Sequence, residues 1–322
     1  MLAAYAARVS ADDPLSALEV GERPEPAVPD GWTTVSVKAA SLNHHDLFAL
    51  RGVALRAEQT PMILGGDAAG IDEDGNAVVV HSVIGDPDVG AGDETYDPRR
   101  SLLSEKYDGT LAEKVVVPQR NLVPKPDALS FEDAACLPTA WLTAYKMLFA
   151  RSGLRPGDTV LVQGAGGGVA TAAIALARAG GYQVWVTSRS EDKRERALAL
   201  GAHAAYETGA RLPERVDAVL ESVGKATWEH SLRAVRPGGT IVTCGATSGY
   251  VVETELPRVF FTQVNVVGST MGNRDELRRL IAFLVTTGVR PVIDTTLPLS
   301  QARDGFARLL DPDLFGKVVL TP

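Results

Sequence analysis

Along residues 159–268, short apolar runs alternate with longer stretches whose apolar positions recur every three or four residues. The runs 159–163, 183–187, 216–220, 239–244 and 265–268 read as strands, and 169–179, 191–200 and 226–235 as the helices between them. Near-continuous apolar strands, each followed by a helix, predict a parallel sheet with helices on both faces. The first 126 residues have a different texture. Valine-rich runs at 33–38, 77–82 and 112–117 are separated by Pro, Gly and Asp turns with only short helical signals, which predicts a partly open, mainly antiparallel β domain. Pro124-Lys-Pro126 closes that region, and Ser130 to Asp133 has the form of a capping box opening a helix. A helix over 275–286 and strands near Val292 and over 317–320 complete the pattern, while 86–100, rich in Asp, Gly and Pro, reads as an exposed loop.

Composition narrows the possibilities. A chain of 322 residues suggests about two domains, and 45% hydrophobic with 22% charged residues is ordinary for a soluble globular protein. The net charge of −8 argues against nucleic acid as a partner. No apolar run approaches the length that spans a bilayer. Met1 to Arg8 lacks a basic segment followed by a hydrophobic one, so it reads as a first strand rather than a signal peptide, and a cytoplasmic location is expected. Cys136 and Cys244 lie in apolar stretches and read as small core residues, too few and too scattered for a thiolate zinc site.

The richest chemistry lies where the first parallel strand meets its helix. Gly164-Ala-Gly-Gly-Gly-Val-Ala170 places glycines between strand and helix, the context that turns a glycine motif into a dinucleotide site. Without side chains at Gly166, Gly167 and Gly168, the backbone can approach a pyrophosphate and the helix-start N–H groups face its charge. Counted from Gly164, Val169 stands where a third glycine belongs. Counted from Ala165, the motif is Ala-x-Gly-x-x-Ala with Ala170 as the small packing residue, and this register is preferred. The next strand ends in Thr187-Ser-Arg-Ser190 with Lys193 beyond, and no carboxylate precedes Glu191. An Asp or Glu there would bind a ribose 2′-hydroxyl; a hydroxyl, a guanidinium and an ammonium suit a 2′-phosphate, which favours NADP(H) over NAD(H). Residues 191–196 also fit a solvated mixed-charge helix start.

These motifs, with Ser41-Leu-Asn-His-His-Asp46, Leu64-Gly-Gly-Asp-Ala-Ala-Gly70, Leu137-Pro-Thr-Ala-Trp-Leu-Thr-Ala-Tyr145, Glu221-Ser-Val-Gly224, Gly245-Ala-Thr-Ser-Gly249 and Gly268-Ser-Thr-Met-Gly272, resemble the medium-chain dehydrogenase/reductase superfamily over nearly the whole chain. Within it the likeness is to the zinc-free quinone oxidoreductases (ζ-crystallin-like) and enone reductases. The resemblance implies an α/β fold: a Rossmann nucleotide-binding domain over 127–270, a GroES-like catalytic domain built from 1–126 and 271–322, and an active site in the cleft between them. It implies NADPH-dependent hydride transfer to a quinone or α,β-unsaturated carbonyl, a small-molecule substrate and a homodimer made by pairing the edge strand 264–269.

Zinc-dependent members place a metal-binding Cys near position 43 and Gly-His-Glu near position 66, where this chain has Asn43 and Gly65-Gly66-Asp67, and their four-cysteine lobe has no counterpart between 82 and 107. Three ligands and an open position are hard to assemble from His44, His45, Asp46, Asp67 and His81, so no metal is expected. The resemblance makes Asn43 the candidate for orienting substrate or nicotinamide ribose, with Asp46 alongside. For the coenzyme it carries over Thr139, Thr143, Gly167, Gly168, Val169 and Ala170; Ser188, Arg189, Lys193 and Tyr206 for the 2′-phosphate; Gly245, Ala246, Thr247 and Ser248; Gly268, Ser269 and Met271; and Lys317 near the reduced ring. Thr143 equally fits a helical Thr bonding to its own turn, Tyr206 a strand core, and Lys317 a surface strand end. Quinone-active relatives often carry tyrosines at positions matching Phe48 and Ala54, so the proton must come from His44, His45 or water. Two other readings stay open: a zinc-dependent alcohol dehydrogenase with atypical ligands near His44, Asp67 and His81, and a non-catalytic, crystallin-like NADPH-binding protein.

Overall fold

The computed structural model describes residues 1–322, which divide into two compact units: Met1–Ala140 with Gly272–Pro322, and Trp141–Met271. The division falls after Ala140 rather than at Pro126, because the helix Phe131–Ala135 packs on the strands Trp32–Ser41 and Asp67–Asp72 of the first unit. No helix is long and apolar enough to cross a membrane.

In the second unit six parallel strands lie in the order Ala204–Tyr206, Gln183–Thr187, Thr159–Gln163, Val216–Glu221, Val235–Thr243 and Asn265–Gly268. In chain order that is 3-2-1-4-5-6, the doubly wound Rossmann arrangement, with its switch point between Thr159–Gln163 and Val216–Glu221. The helix Gly168–Ala179 buries Ala170, Ala172, Ala173, Ile174, Leu176 and Ala177, and its small side chains let it lie close on the sheet. Strand Ala204–Tyr206 escapes sequence reading: three residues carry no periodicity, and pairing with 185–187 makes it a strand.

The first unit is GroES-like and mainly antiparallel. Its large sheet runs Leu122–Pro124, Ala77–Val80, Asp67–Asp72, Trp32–Ser41, Lys317–Thr321 and Ile293–Pro298, with Lys114–Pro118 also paired to Trp32–Ser41. One pair, Ile293–Pro298 with Lys317–Thr321, is parallel, joined through the helix Ala302–Leu310. The chain's last strand thus lies against Trp32–Ser41, pairing Val319 with Ser41 and Leu320 with Ala40. Segment 86–100, expected to be an exposed loop, instead buries Glu94, Thr95 and Asp97. Glu94 accepts the Arg274 N–H (2.6 Å) and lies 3.0 Å from His81 Nε2, though without hydrogen-bond alignment at the imidazole.

Candidate functional site

The second unit gathers its candidate residues at the carboxyl ends of its strands, where open α/β sheets bind ligands. Gly164 turns the chain out of its strand at φ +84°. Gly167 precedes the helix Gly168–Ala179, and a Cβ there would meet nothing within 4 Å, so its flank is open. No side chain caps this helix start, which leaves the N–H groups of Gly168, Val169 and Ala170 for an anion. At the end of the neighbouring strand, Ser188 N–H donates to the Tyr206 carbonyl (3.0 Å), and Tyr206 packs edge-on against Trp185. Arg189 is exposed. Arg194, one of the charges in a face that the sequence alone reads as solvated, donates to the Ser188 carbonyl at 2.7 Å, which puts its guanidinium at the end of this strand. Lys193 lies in the first turn of the same helix, Glu191–Leu200. These residues fit a nicotinamide dinucleotide: an open glycine turn and an uncapped helix start, with guanidinium groups at the second strand's end.

The loops after the later strands are tied to one another. Glu221, fully buried, accepts Val223 N–H (2.8 Å), Gly224 N–H (3.0 Å), Thr227 Oγ1 (2.9 Å) and Ser231 Oγ (2.6 Å). The turn it shapes carries the next loop: Ser248 Oγ and N–H both donate to the Val223 carbonyl, and Lys225 N–H donates to that of Gly249. Ser248 is therefore committed to the loop's architecture, while Gly245, Ala246 and Thr247 lie along its rim. Arg151 donates twice to the Gly268 carbonyl (3.1 and 2.9 Å), and Ser269 N–H bonds the Thr243 carbonyl, which fixes the segment leading to buried Met271. Thr143 is buried in its helix. A groove of about 870 Å³ is lined from 209–215, His230, 232–234 and parts of 255–262, and none of the candidate coenzyme residues lines it.

The first unit holds a polar corner. Asn43 begins the helix His44–Leu50, and the Asp46 carboxylate accepts the Asn43 N–H (2.8 Å) and the Gly65 N–H (3.1 Å). Burial pushes the Asp46 pKa up to about 6, against the pull of His45 and the Asn43 N–H. The Asn43 side chain faces elsewhere: Nδ2 donates to Asp67 Oδ2 (2.8 Å) and Oδ1 accepts from Lys317 Nζ (2.6 Å). Asp67 Oδ2 also accepts Ser41 Oγ (2.8 Å), while Asp67 Oδ1 is buried without a partner. Lys317 is thus not a surface strand end but a buried ammonium within the unit. Thr139 lies in this unit too, its hydroxyl 3.5 Å from where a Gly66 Cβ would be. His45 Nε2 pairs with Glu105 Oε1 at 3.0 Å. Burial opposes charge on that imidazole, but the Glu105 hydrogen bond and the Asp46, Glu105 and Asp67 charges outweigh it and raise its pKa. His44, though exposed, is held below the usual histidine range by its crowded surroundings and then by the Lys317 charge.

The sequence points to Asn43, His45, Asp46 and Lys317, but it gives no role to Ser41, the first residue of the motif that holds Asn43, or to Glu105, which lies in no motif. A zinc ion does not fit the donors present. No three His, Cys, Asp or Glu side chains gather in metal-binding positions, and a Cβ at Gly66 would lie 2.8 Å from Ser82 Oγ. His81, another possible ligand, is spent beside Glu94, whose carboxyl is held down to about 2: burial pushes it up, but the His81 contact and the backbone donors prevail.

Comparison with known proteins agrees with this architecture. Residues 29–127 match the alcohol dehydrogenase GroES-like domain and residues 168–286 match the zinc-binding dehydrogenase family. An alcohol dehydrogenase of Geobacillus stearothermophilus is 30% identical over 94% of this chain and 96% of its own. A crystal structure of an NAD-dependent alcohol dehydrogenase superposes with a TM-score of 0.92 at 35% identity, covering 100% of both chains. The 2-octenoyl-CoA carboxylase reductase CinF, solved with NADP and 2-octenoyl-CoA, has a TM-score of 0.91 at 25% identity over 99% of this chain and 87% of its own. The chain therefore belongs to the medium-chain dehydrogenase/reductase superfamily and is an NAD(P)-dependent oxidoreductase acting on a small molecule.

Proposed function

We propose that this protein is an NADPH-dependent reductase of α,β-unsaturated carbonyls or quinones that works without a bound metal. The observation that carries the reading is the polar corner: where zinc-dependent members hold a metal, this chain has Asn43, Gly66 and Asp67, already engaged by the Lys317 ammonium or lacking a side chain. Without a Lewis acid, nothing stabilises the alkoxide of a simple alcohol substrate. An electron-poor alkene or quinone demands less, because charge collects on its carbonyl oxygen, which hydrogen-bond donors suffice to stabilise. Bound NADPH supplies the hydride. The helix start at Gly168, Val169 and Ala170, beside Gly167, binds the pyrophosphate. Ser188, Arg189, Lys193 and Arg194 grip the 2′-phosphate, with Tyr206 beside them. Thr143, the 245–248 loop and Gly268, Ser269 and Met271 line the nicotinamide half. Asn43 orients the reacting groups with Asp46 behind it, and His45, whose hold on a proton Glu105 strengthens, delivers the proton. The relative solved with NADP and an enoyl thioester supports both coenzyme and substrate class.

The edge strand Asn265–Gly268 has a partner on one side only, and Val266, Leu256, Phe260 and Phe261 (79% exposed) lie on or just before it. An apolar open edge favours pairing with a second copy, which supports a homodimer.

The test is NADPH oxidation with a panel of enones, enoyl thioesters and quinones, run against NADH and after chelation. Turnover with NADPH that survives chelation is expected; NADPH binding without turnover of any substrate would point to a non-catalytic role. The similarity to alcohol dehydrogenases favours a second reading, alcohol oxidation with NAD at an atypical zinc site. One equivalent of zinc in the purified protein and an alcohol-dependent rate lost on chelation would support it.

A further inference from the structure

The positive charge of the polar corner belongs to the chain itself. Strand Lys317–Thr321 runs antiparallel to Trp32–Ser41, with Val319 opposite Ser41 and Leu42 N–H bonded to the Val318 carbonyl, so the register sets Lys317 across from Asn43. On the other side of Trp32–Ser41, Asp67 pairs with Ser41. The sheet thus brings an ammonium and a carboxylate to the same amide from opposite neighbours. Lys317 is 2% exposed and Asp67 fully buried, and a buried charge persists only when paired and hydrogen-bonded.

We propose that Lys317 is the positioning residue of the reaction: its ammonium locks the Asn43 carboxamide in one orientation and serves this site as a built-in cation in place of a metal ion. The proposal rests on the corner being the carbonyl-binding side of the reductase described above. Lys317 Nζ has three N–H groups and three acceptors, the Leu42 carbonyl (2.7 Å), Asn43 Oδ1 (2.6 Å) and Asp67 Oδ2 (3.2 Å). No donor is left for a ligand, so Lys317 acts through Asn43. Flipping that amide would turn its NH2 toward the ammonium and its oxygen toward the carboxylate, two repulsions in place of two hydrogen bonds.

The experiment compares wild type with Lys317→Met, which keeps the length and loses the charge. In protein carrying 15N asparagine, the Asn43 side-chain signal is identified by its loss in Asn43→Ala. Lys317→Met is expected to shift that signal and speed its hydrogen exchange by about tenfold or more. With an enone at saturating NADPH, kcat is expected to fall about tenfold or more while KM for NADPH stays within about twofold. The His44 imidazole should titrate at higher pH once the neighbouring charge is gone. An unchanged Asn43 signal, an unchanged kcat, or a loss confined to KM for NADPH overturns the proposal. Should Lys317→Met not fold, wild type alone decides, since a buried ammonium with three acceptors must give a slowly exchanging 15Nζ signal at neutral pH and its absence refutes the tie. Should wild type reduce no enone or quinone, the reductase reading fails, while the Asn43 and Lys317 signals still report on the lock.

Discussion

Replacing Glu221 separates the framework of the coenzyme loops from the chemistry they support. Its carboxylate receives two backbone N–H groups, from Val223 and Gly224, and two hydroxyls, from Thr227 and Ser231, all without contact with water. In Glu221→Ala the hydroxyls can turn, and Thr227 already has the Gly224 carbonyl at 3.3 Å. The two N–H groups cannot turn. Each stranded buried donor costs about 1–3 kcal/mol, and with the lost packing the variant should be destabilised by roughly 3–5 kcal/mol. For a chain of this length that lowers Tm by roughly 4–7 °C. In Glu221→Gln the amide oxygen serves the backbone N–H groups and its NH2 meets the hydroxyls, which rotate to accept; only charge assistance is lost, about 1–2 kcal/mol. Because Val223 carries Ser248, and Lys225 carries Gly249, NADPH affinity should fall about tenfold in the alanine variant and change by no more than about threefold in the glutamine variant. Calorimetry and NADPH fluorescence titration of both variants check this. Equal destabilisation by Gln and Ala, or a loss under about 1 kcal/mol in Ala, would falsify the account of Glu221 as the acceptor shaping this turn.

Arg189→Gln should weaken NADPH binding by roughly ten- to hundredfold, the worth of a charge-assisted phosphate contact, and leave NADH nearly unaffected; equal loss for both coenzymes excludes a 2′-phosphate role. Asp46, raised from the ordinary 3.8 to about 6 by burial, makes its largest contribution to stability below pH 3.8 and loses it as pH rises through 6, a change of about 3 kcal/mol. The stability of wild type relative to Asp46→Asn should therefore drop by about that amount between pH 4 and 7 in urea titrations, and a pH-independent gap would contradict it. Combining Phe261→Glu with Val266→Arg on the open edge should convert a dimer to monomers by light scattering, while a dimer that survives both changes must use another face.

Most of the alternation of strand and helix over 159–268 is legible without a structure because those elements are built from a local period, and glycines at the strand–helix turn specify backbone shape directly. The strands 159–163, 183–187 and 265–268 and the helix 191–200 agree with the structure to the residue. Other features had no local signature. Arg194 reads as one more charge in a solvated helix until its bond to the Ser188 carbonyl is seen. Glu94 reads as loop until it meets the Arg274 N–H, far along the chain. The strand Ala204–Tyr206 exists because a neighbour pairs with it.

The amino-acid sequence by itself determined the parallel sheet, the glycine turn and the absence of a carboxylate at the end of the second strand, because those depend on neighbours in the chain. Only the tertiary structure decided what Asn43, Asp67 and Lys317 are to one another. Their meeting depends on two strand registers and on the last strand returning to the first domain. Such non-local pairing leaves no period in the chain, and burying the ammonium is tolerable only because the pairing delivers its acceptors.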